Sequence, residues 1–344
     1  MVDIFGRRQT RRALLERVSD MRQLGGIRRL EQTDGPGKGS GIARLETGSG
    51  FSFDVLLDRG MDVGAASYRG ASLVWLSPAG YAHPARFDDK GIGWLRTFPA
   101  GLITTCGLTQ TGAACRDGNE ELGIHGRYTS LPAGRLSESC AWEGDEYVMR
   151  LSGEMREAVL FGENLVLHRT IEARLGFPGL ILTDVVTNEG PRPSPHMILY
   201  HCNFGYPLLS EASELITSSK RIEPRDSEAA AGLERACCFD PPRAGYREKV
   251  YFHHLKADRK GSVLIRLRNP ELFGGVTLNM RYRLEELPYF TQWKMLGKTE
   301  YVCGLEPGNA LVMGRVEERK AGRLAVLQPG ERRTYRLELF ITTP

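Results

Sequence analysis

Three short segments, far apart in the chain, each set a proton-moving group beside residues that end strands and open loops. They are Gly123-Ile-His125-Gly-Arg127, Tyr200-His201-Cys-Asn203-Phe204 and Gly304-Leu-Glu306-Pro-Gly-Asn309. Two imidazoles and a carboxylate are the smallest set that can take a proton from one oxygen while giving one to another. Glycines on both sides of His125 let backbone bend close to a ligand, although a lone histidine at such a turn also reads as a half-buried residue bonded to main chain. His201 ends an apolar run, with Asn203 and Tyr206 adding hydrogen-bonding and stacking surface. Glu306 follows Tyr301-Val-Cys-Gly-Leu305, an apolar stretch without lysine or arginine, so its charged form is disfavoured and its carboxyl is pushed toward a useful base. The same three groups are also a ligand set for a divalent metal, as in metal-dependent sugar isomerases. No His-x-His or His-x-x-x-Glu pair supports that use, and His253-His254, adjacent on a strand, would point to opposite faces.

These groups need strands to hold them. After Gly26 the apolar pattern has period 2, in runs such as Phe51–Leu57, Tyr147–Leu151, Leu165–Arg174, Leu180–Asn188, Ser262–Asn269, Gly275–Tyr282 and Thr334–Thr342. Turn signals such as Glu143-Gly-Asp145, Gly176-Phe-Pro178 and Asn188-Glu-Gly190 bound many of them. Helices do not alternate with these runs, so the expected fold is all-β: one large antiparallel β-sandwich over residues 26–344. Glu223–Pro242 reads as a surface excursion within it. Residues 1–25 form an N-terminal extension, in which Thr10 caps an amphipathic helix over 9–24 carrying Leu14, Val18 and Met21 on one stripe.

Composition narrows the partners. The 344 residues carry a formal net charge of only +4, and the Arg7-Arg8 and Arg11-Arg12 clusters come without an aromatic-basic array, which argues against nucleic acid. No stretch approaches the roughly 18 apolar residues of a membrane helix, so no membrane partner is expected. Seven cysteines with no CxxC pair suit reduced thiols and a cytoplasmic location. An exposed edge strand or the N-terminal helix offers a surface for a homodimer.

The motifs resemble those of the galactose mutarotase (aldose 1-epimerase) superfamily, in the order His, His, Glu, from about Gly26 to the C-terminus. His125-Gly126 ahead of Pro132 resembles the segment whose histidine touches sugar ring oxygens. His201-x-Asn203-Phe204-x-x-Pro207-Leu208 resembles the segment of the acid histidine, and Leu305-Glu306-Pro307 that of the general base. Leu56-Leu-Asp58-Arg59-Gly-Met-Asp62 is similar to a stretch of an aldose-epimerase-like branch. The resemblance implies a supersandwich fold and a cofactor-free mutarotase, with Glu306 as base, His201 as acid and His125 orienting a hydroxyl. Asn203, Trp293, Lys294, Arg59 and Arg127 would bind the sugar, with Trp293 offering a plate for its C–H face and the cations able to read an anionic substituent. The hydroxyl-binding aspartate that mutarotases hold in an aromatic context between their acid and base is missing here. A non-catalytic sugar-binding module, or an epimerase or lyase acting at another carbon, remains open on the same scaffold.

Overall fold

A computed structural model describes residues 1–344. Three antiparallel sheets make up its body. The first has eight strands, in the order Gly134–Glu143, Glu146–Ala158, Asn164–Arg174, Gly179–Asn188, Arg332–Thr342, Val276–Arg283, Ser262–Asn269 and Glu214–Ile216. The second has seven strands: Ser219–Pro224, Lys249–Leu255, Tyr289–Leu296, Tyr301–Gly308, Ser194–Gly205 and Ala325–Leu327, with Thr104–Leu108 also paired to Ser194–Gly205. A third sheet of five strands spans Gly26–Glu31 to Ala71–Ser72. This is the large antiparallel β-architecture expected from the period-2 runs, and each of those runs falls in a strand apart from the end residues Leu57 and Gly275. No helix is long and apolar enough to cross a membrane, and all seven cysteines are free.

The central strands of the seven-stranded sheet, Tyr301–Gly308 and Ser194–Gly205, are buried on both faces, and that matters for function. Along Ser194–Gly205, Tyr200, Cys202 and Phe204 enter the main core with Leu165, Leu167 and Ile171 of the eight-stranded sheet. Their neighbours must face the other way: Leu199 joins a smaller cluster with Trp94, Phe98 and Cys106, and His201 sits beside it. The same alternation sends Cys303 and Leu305 into the core and leaves Gly304 and Glu306 on the His201 face.

The N-terminus departs from the expected single helix over 9–24. Thr10 does cap a helix, accepting from the Ala13 amide, but it spans only Arg11–Leu15 and is followed by a 3-10 turn at Met21–Gln23. Asp20 caps that second turn through the Arg22 amide, so local side-chain bonds cut the helical pattern in two. Ahead of it, Val2–Ile4 and Arg7–Gln9 form a small hairpin. Val2, Ile4 and Leu14 join the main core, so the extension packs on the sheets.

One ion cluster ties the sheets together. Arg169, fully buried, donates to Asp184 at 2.9 and 2.7 Å, to Asp62 at 3.1 Å and to the Thr105 hydroxyl at 2.8 Å. Tyr200 donates to Asp184 at 2.8 Å, and the Arg169 guanidinium lies 5.4 Å from the Tyr128 ring centroid. Burial pushes the Asp62 carboxyl up, against the pull of Arg169. Removing one partner of such a cluster strands the others without compensation. Arg169→Met is therefore expected to cost about 3–5 kcal/mol in urea unfolding, whereas Arg12→Met, which breaks an exposed pair with Glu16, is expected to cost less than about 1 kcal/mol. Equal costs would mean that the cluster carries no special weight.

Candidate active site

A cavity of about 610 Å³ opens on the His201 face of the seven-stranded sheet. Its floor is set by strand register. Glu306 pairs across to Thr291, and Gly304 is flanked by Trp293 on one side and Asn203 on the other. His201, Glu306, Thr291 and Trp293 therefore reach one space from three adjacent strands. His125 arrives from a loop, in the left-handed backbone region at φ 60°. Its main-chain amide donates to Gly112 O at 2.8 Å, and its carbonyl accepts from Gly107 at 3.1 Å. The following Gly126 is required, because a Cβ there would lie 2.4 Å from Gln110 O.

The His201 Nε2 stands 3.2 Å from Glu306 Oε1, but without the alignment of a hydrogen bond. Glu306 Oε1, His201 Nδ1 and Thr291 Oγ1 are all buried with no partner. Unsatisfied buried polar atoms are rare in native proteins, and here three of them gather at one cavity floor. Gly304 keeps the space free: a Cβ would lie 2.5 Å from Glu306 Oε1 and 3.2 Å from His201 Cε1.

Electrostatics follow from burial. Glu306 is 2 % exposed. Its carboxyl is pushed well above the usual range, first by burial and then by the Glu248 charge, with Arg225 opposing. His201 is pushed down to about 4 by burial. His125 falls to about 3 by burial and by its neighbour His201. Both imidazoles are therefore neutral near neutral pH. His125 Nδ1 accepts from the Gly112 amide at 3.3 Å, which leaves Nε2 as the protonated nitrogen, a donor. Aromatic rings frame these groups. Trp94 lies 4.7 Å from His125, Phe98 5.3 Å and Trp293 5.5 Å from His201, centroid to centroid.

Four residues expected at the site do not line the cavity. Lys294 follows Trp293 on the same strand and so points to the opposite face, where its ammonium donates to the Arg235 carbonyl at 2.7 Å and to that of Cys238. Arg59 is buried and donates to Ala82 O at 2.8 Å and to Thr129 Oγ1 at 3.3 Å. Arg127 pairs with Glu163 and Glu157. Asn203 shares the His201 face, where its Nδ2 donates to Gly101 O at 3.1 Å and His201 O at 2.8 Å and its Oδ1 is buried without a partner. Conversely, the cavity wall contains Trp75, Trp94, Phe98, Thr291, Arg225 and Glu248, none singled out from sequence. Thr291 was accessible to strand periodicity, two residues before Trp293. Arg225 and Glu248 gave no local signal, because only the pairing of Ser219–Pro224 with Lys249–Leu255 brings them together. No three His, Cys, Asp or Glu side chains converge as metal ligands.

The family described as "Domain of unknown function (DUF4432)" matches residues 37–341. The chain belongs to that family. No curated protein matches the sequence. Among solved structures, the chain is similar to a candidate aldose 1-epimerase from Klebsiella pneumoniae, at 26 % identity over 92 % of this chain and 83 % of that one, with a TM-score of 0.87. A galactose mutarotase-like protein from Clostridium acetobutylicum matches at 13 % identity, over 93 % and 99 % of the two chains, with a TM-score of 0.61. A galactose 1-epimerase from Lactobacillus acidophilus does so at 13 % identity, over 92 % and 99 %, with a TM-score of 0.55. The last two likenesses establish the fold alone: this DUF4432 member has the galactose mutarotase-like fold.

The raised Glu306 has a thermodynamic signature. The folded state keeps the Glu306 proton above the ordinary glutamate range, whereas the unfolded state releases it, so this residue makes stability fall as pH rises. The unfolding free energy of wild type minus that of Glu306→Gln should therefore decrease from roughly pH 5 to roughly pH 8. A difference that is flat, or that grows with pH, would place an ionised carboxylate in the folded protein.

Proposed function

We propose that the protein is an aldose 1-epimerase that interconverts the anomers of a sugar by acid–base catalysis between Glu306 and His201. The observation that carries this reading is the 3.2 Å approach of Nε2 to Oε1, both on atoms facing a cavity and free of any locking hydrogen bond. Opening a pyranose needs one proton taken from the C1 hydroxyl and one given to the ring oxygen, as the bond from C1 to that oxygen breaks. Closure on the other face of the aldehyde returns both protons. With the proton resting on Glu306 and His201 neutral, His201 would take the C1 proton and Glu306 would give one to the ring oxygen, the reverse of the roles the resemblance implies. The pair starts with one proton and ends with one, so the chemistry balances within Glu306, His201 and the sugar, and calls on no cofactor. The Nε2–H of His125 is placed to donate to a sugar oxygen, and Thr291 Oγ1 supplies a further polar contact beside Glu306.

The rings of Trp94, Phe98 and Trp293 suit the C–H faces of a pyranose and exclude water from the pair. Each proton transfer by a positioned side chain contributes on the order of 10²–10⁴ in rate. That range is adequate for a reaction that already proceeds slowly in water. The likeness to the Klebsiella pneumoniae protein supports the same reaction type.

Anomer exchange measured by NMR across a panel of aldoses tests this reading. Wild type should accelerate exchange for at least one sugar, and Glu306→Gln or His201→Asn should each lower the rate by on the order of 10²-fold or more. Gly304→Ala, whose methyl displaces the Glu306 carboxyl, should lower it while leaving the fold intact. His125→Asn, which tolerates the left-handed backbone, should raise KM and lower kcat together. An inert wild type, or full activity in both acid–base variants, would refute the proposal.

A further inference from the structure

Arg225 is the one lysine or arginine side chain on the wall of the cavity, which it shares with Glu248, Glu300 and the protonated Glu306. Arg225 is not free. Its Nη2 donates to Glu248 Oε1 at 2.9 Å and its Nε to Asp226 Oδ2 at 2.9 Å. The Arg225 main chain is pinned as well, its amide donating to Val250 O at 2.9 Å. The second oxygen of Glu248, Oε2, accepts the Trp293 indole N–H at 2.9 Å. Glu248 thus spends one oxygen on the only wall cation and the other on the ring that stands edge-on to His201.

We propose that this Arg225–Glu248–Trp293 clamp restricts the site to uncharged sugars, so that the substrate is a neutral aldose and Glu248 is the residue that sets this specificity. The inference rests on the sugar-site reading above and names the substrate class it left open. A carboxylate or phosphate on the sugar would find no unpaired cation in the cavity. Only Nε and Nη2 of Arg225 are bonded, so an anion reaching Nη1 would meet a charge already opposed by Asp226 and Glu248. One taking the Nη2 contact would displace Glu248 and break its hydrogen bonds to Arg225 and the Trp293 indole. Glu248 would in either case stand beside a second anion, with Glu300 adding to the repulsion. A neutral sugar meets none of these costs. Its hydroxyls can use the outward lone pairs of Glu248, and its ring can pack on Trp293 in the position the clamp holds. The three cations expected from sequence to read an anion, Arg59, Arg127 and Lys294, are committed outside the cavity and do not offset this.

Matched pairs of sugars test the clamp: D-glucose against D-glucuronate, and D-galactose against D-galacturonate, with binding to the full chain followed by ligand-observed NMR. Wild type should prefer the neutral member of a pair. Glu248→Gln keeps an acceptor for the indole but removes the Glu248 charge from Arg225, leaving only Asp226 to oppose it. It should shift the binding ratio toward the acid by at least about tenfold, the worth of one charge-assisted contact. The shift should vanish in the Glu248→Gln/Arg225→Met double variant. Arg225→Met alone, which guards against a misfolded Glu248 variant, should reject the acids at least as strongly as wild type does. Acids bound by wild type as well as or better than their neutral partners, no preference in either pair, or improved acid binding in Arg225→Met would overturn the proposal. Anomer exchange in the same samples keeps the two readings apart. Neutral-selective binding without exchange would refute the epimerase and leave the clamp standing. Exchange that accepts acids and neutral sugars alike would do the reverse.

Discussion

The buried charge cluster around Arg169 is the constraint on which the rest of the molecule depends. It gathers Asp62 from the five-stranded sheet, Asp184 and Arg169 itself from the eight-stranded sheet, and Thr105 and Tyr200 from the seven-stranded sheet. Hydrophobic packing is tolerant of small slips, since apolar contacts have no direction. Bidentate hydrogen bonds between a guanidinium and a carboxylate are not. A slip of any sheet would strand a charge in the interior, so the cluster admits one arrangement. Tyr200 carries that arrangement to the site, because it directly precedes His201 on a strand where neighbours face opposite sides. Anchoring the phenol in the core fixes the height at which the imidazole emerges on the other face.

The site itself inverts the logic of the core. Around Arg169 nearly every polar atom finds a partner, whereas at the cavity floor Glu306, His201 and Thr291 hold polar atoms with none. Such groups are costly to keep, and they persist because the rigid strands beneath them leave no way to turn aside. The missing side chain at Gly304 is part of the same arrangement, since it preserves the volume into which the carboxyl and the imidazole project. Glu306 meets no cation except at a distance, and Arg225 is already held by Glu248 and Asp226. An unpaired carboxyl in apolar surroundings holds its proton tightly. Beside a neutral imidazole, it forms a pair that can exchange one proton with little net change in buried charge.

Much of this was legible in the sequence. Alternating apolar runs marked the strands, because a sheet packed on one side imposes period 2 on every strand it contains. The three acid–base residues stood out beside turn-forming residues, but only His125 lies on a loop: His201 and Glu306 sit inside the strands Ser194–Gly205 and Tyr301–Gly308, and the three do meet at one cavity, joined by Trp293. What failed has physical causes. Lys294 was grouped with Trp293 by adjacency, although adjacency on a strand separates side chains. Arg59 and Arg127 looked available because sequence does not show that Thr129, Ala82, Glu163 and Glu157 take their donors. The helix expected over 9–24 overlooked the way Asp20 turns its side chain back onto its own backbone. Arg225, Glu248, Trp94 and Phe98 lie on loops and strand ends whose convergence depends on long-range pairing, and no local pattern encodes that.

The central claim is that Glu306 and His201 face the anomeric end of a sugar. The most direct measurement is a crystal structure of the Glu306→Gln variant soaked with a neutral aldose. The expected density places C1, its hydroxyl and the ring oxygen against His201 and the amide that replaces the Glu306 carboxyl, with a C–H face on the surrounding rings. A sugar bound with C1 turned away from that pair, or bound outside the cavity, would contradict it.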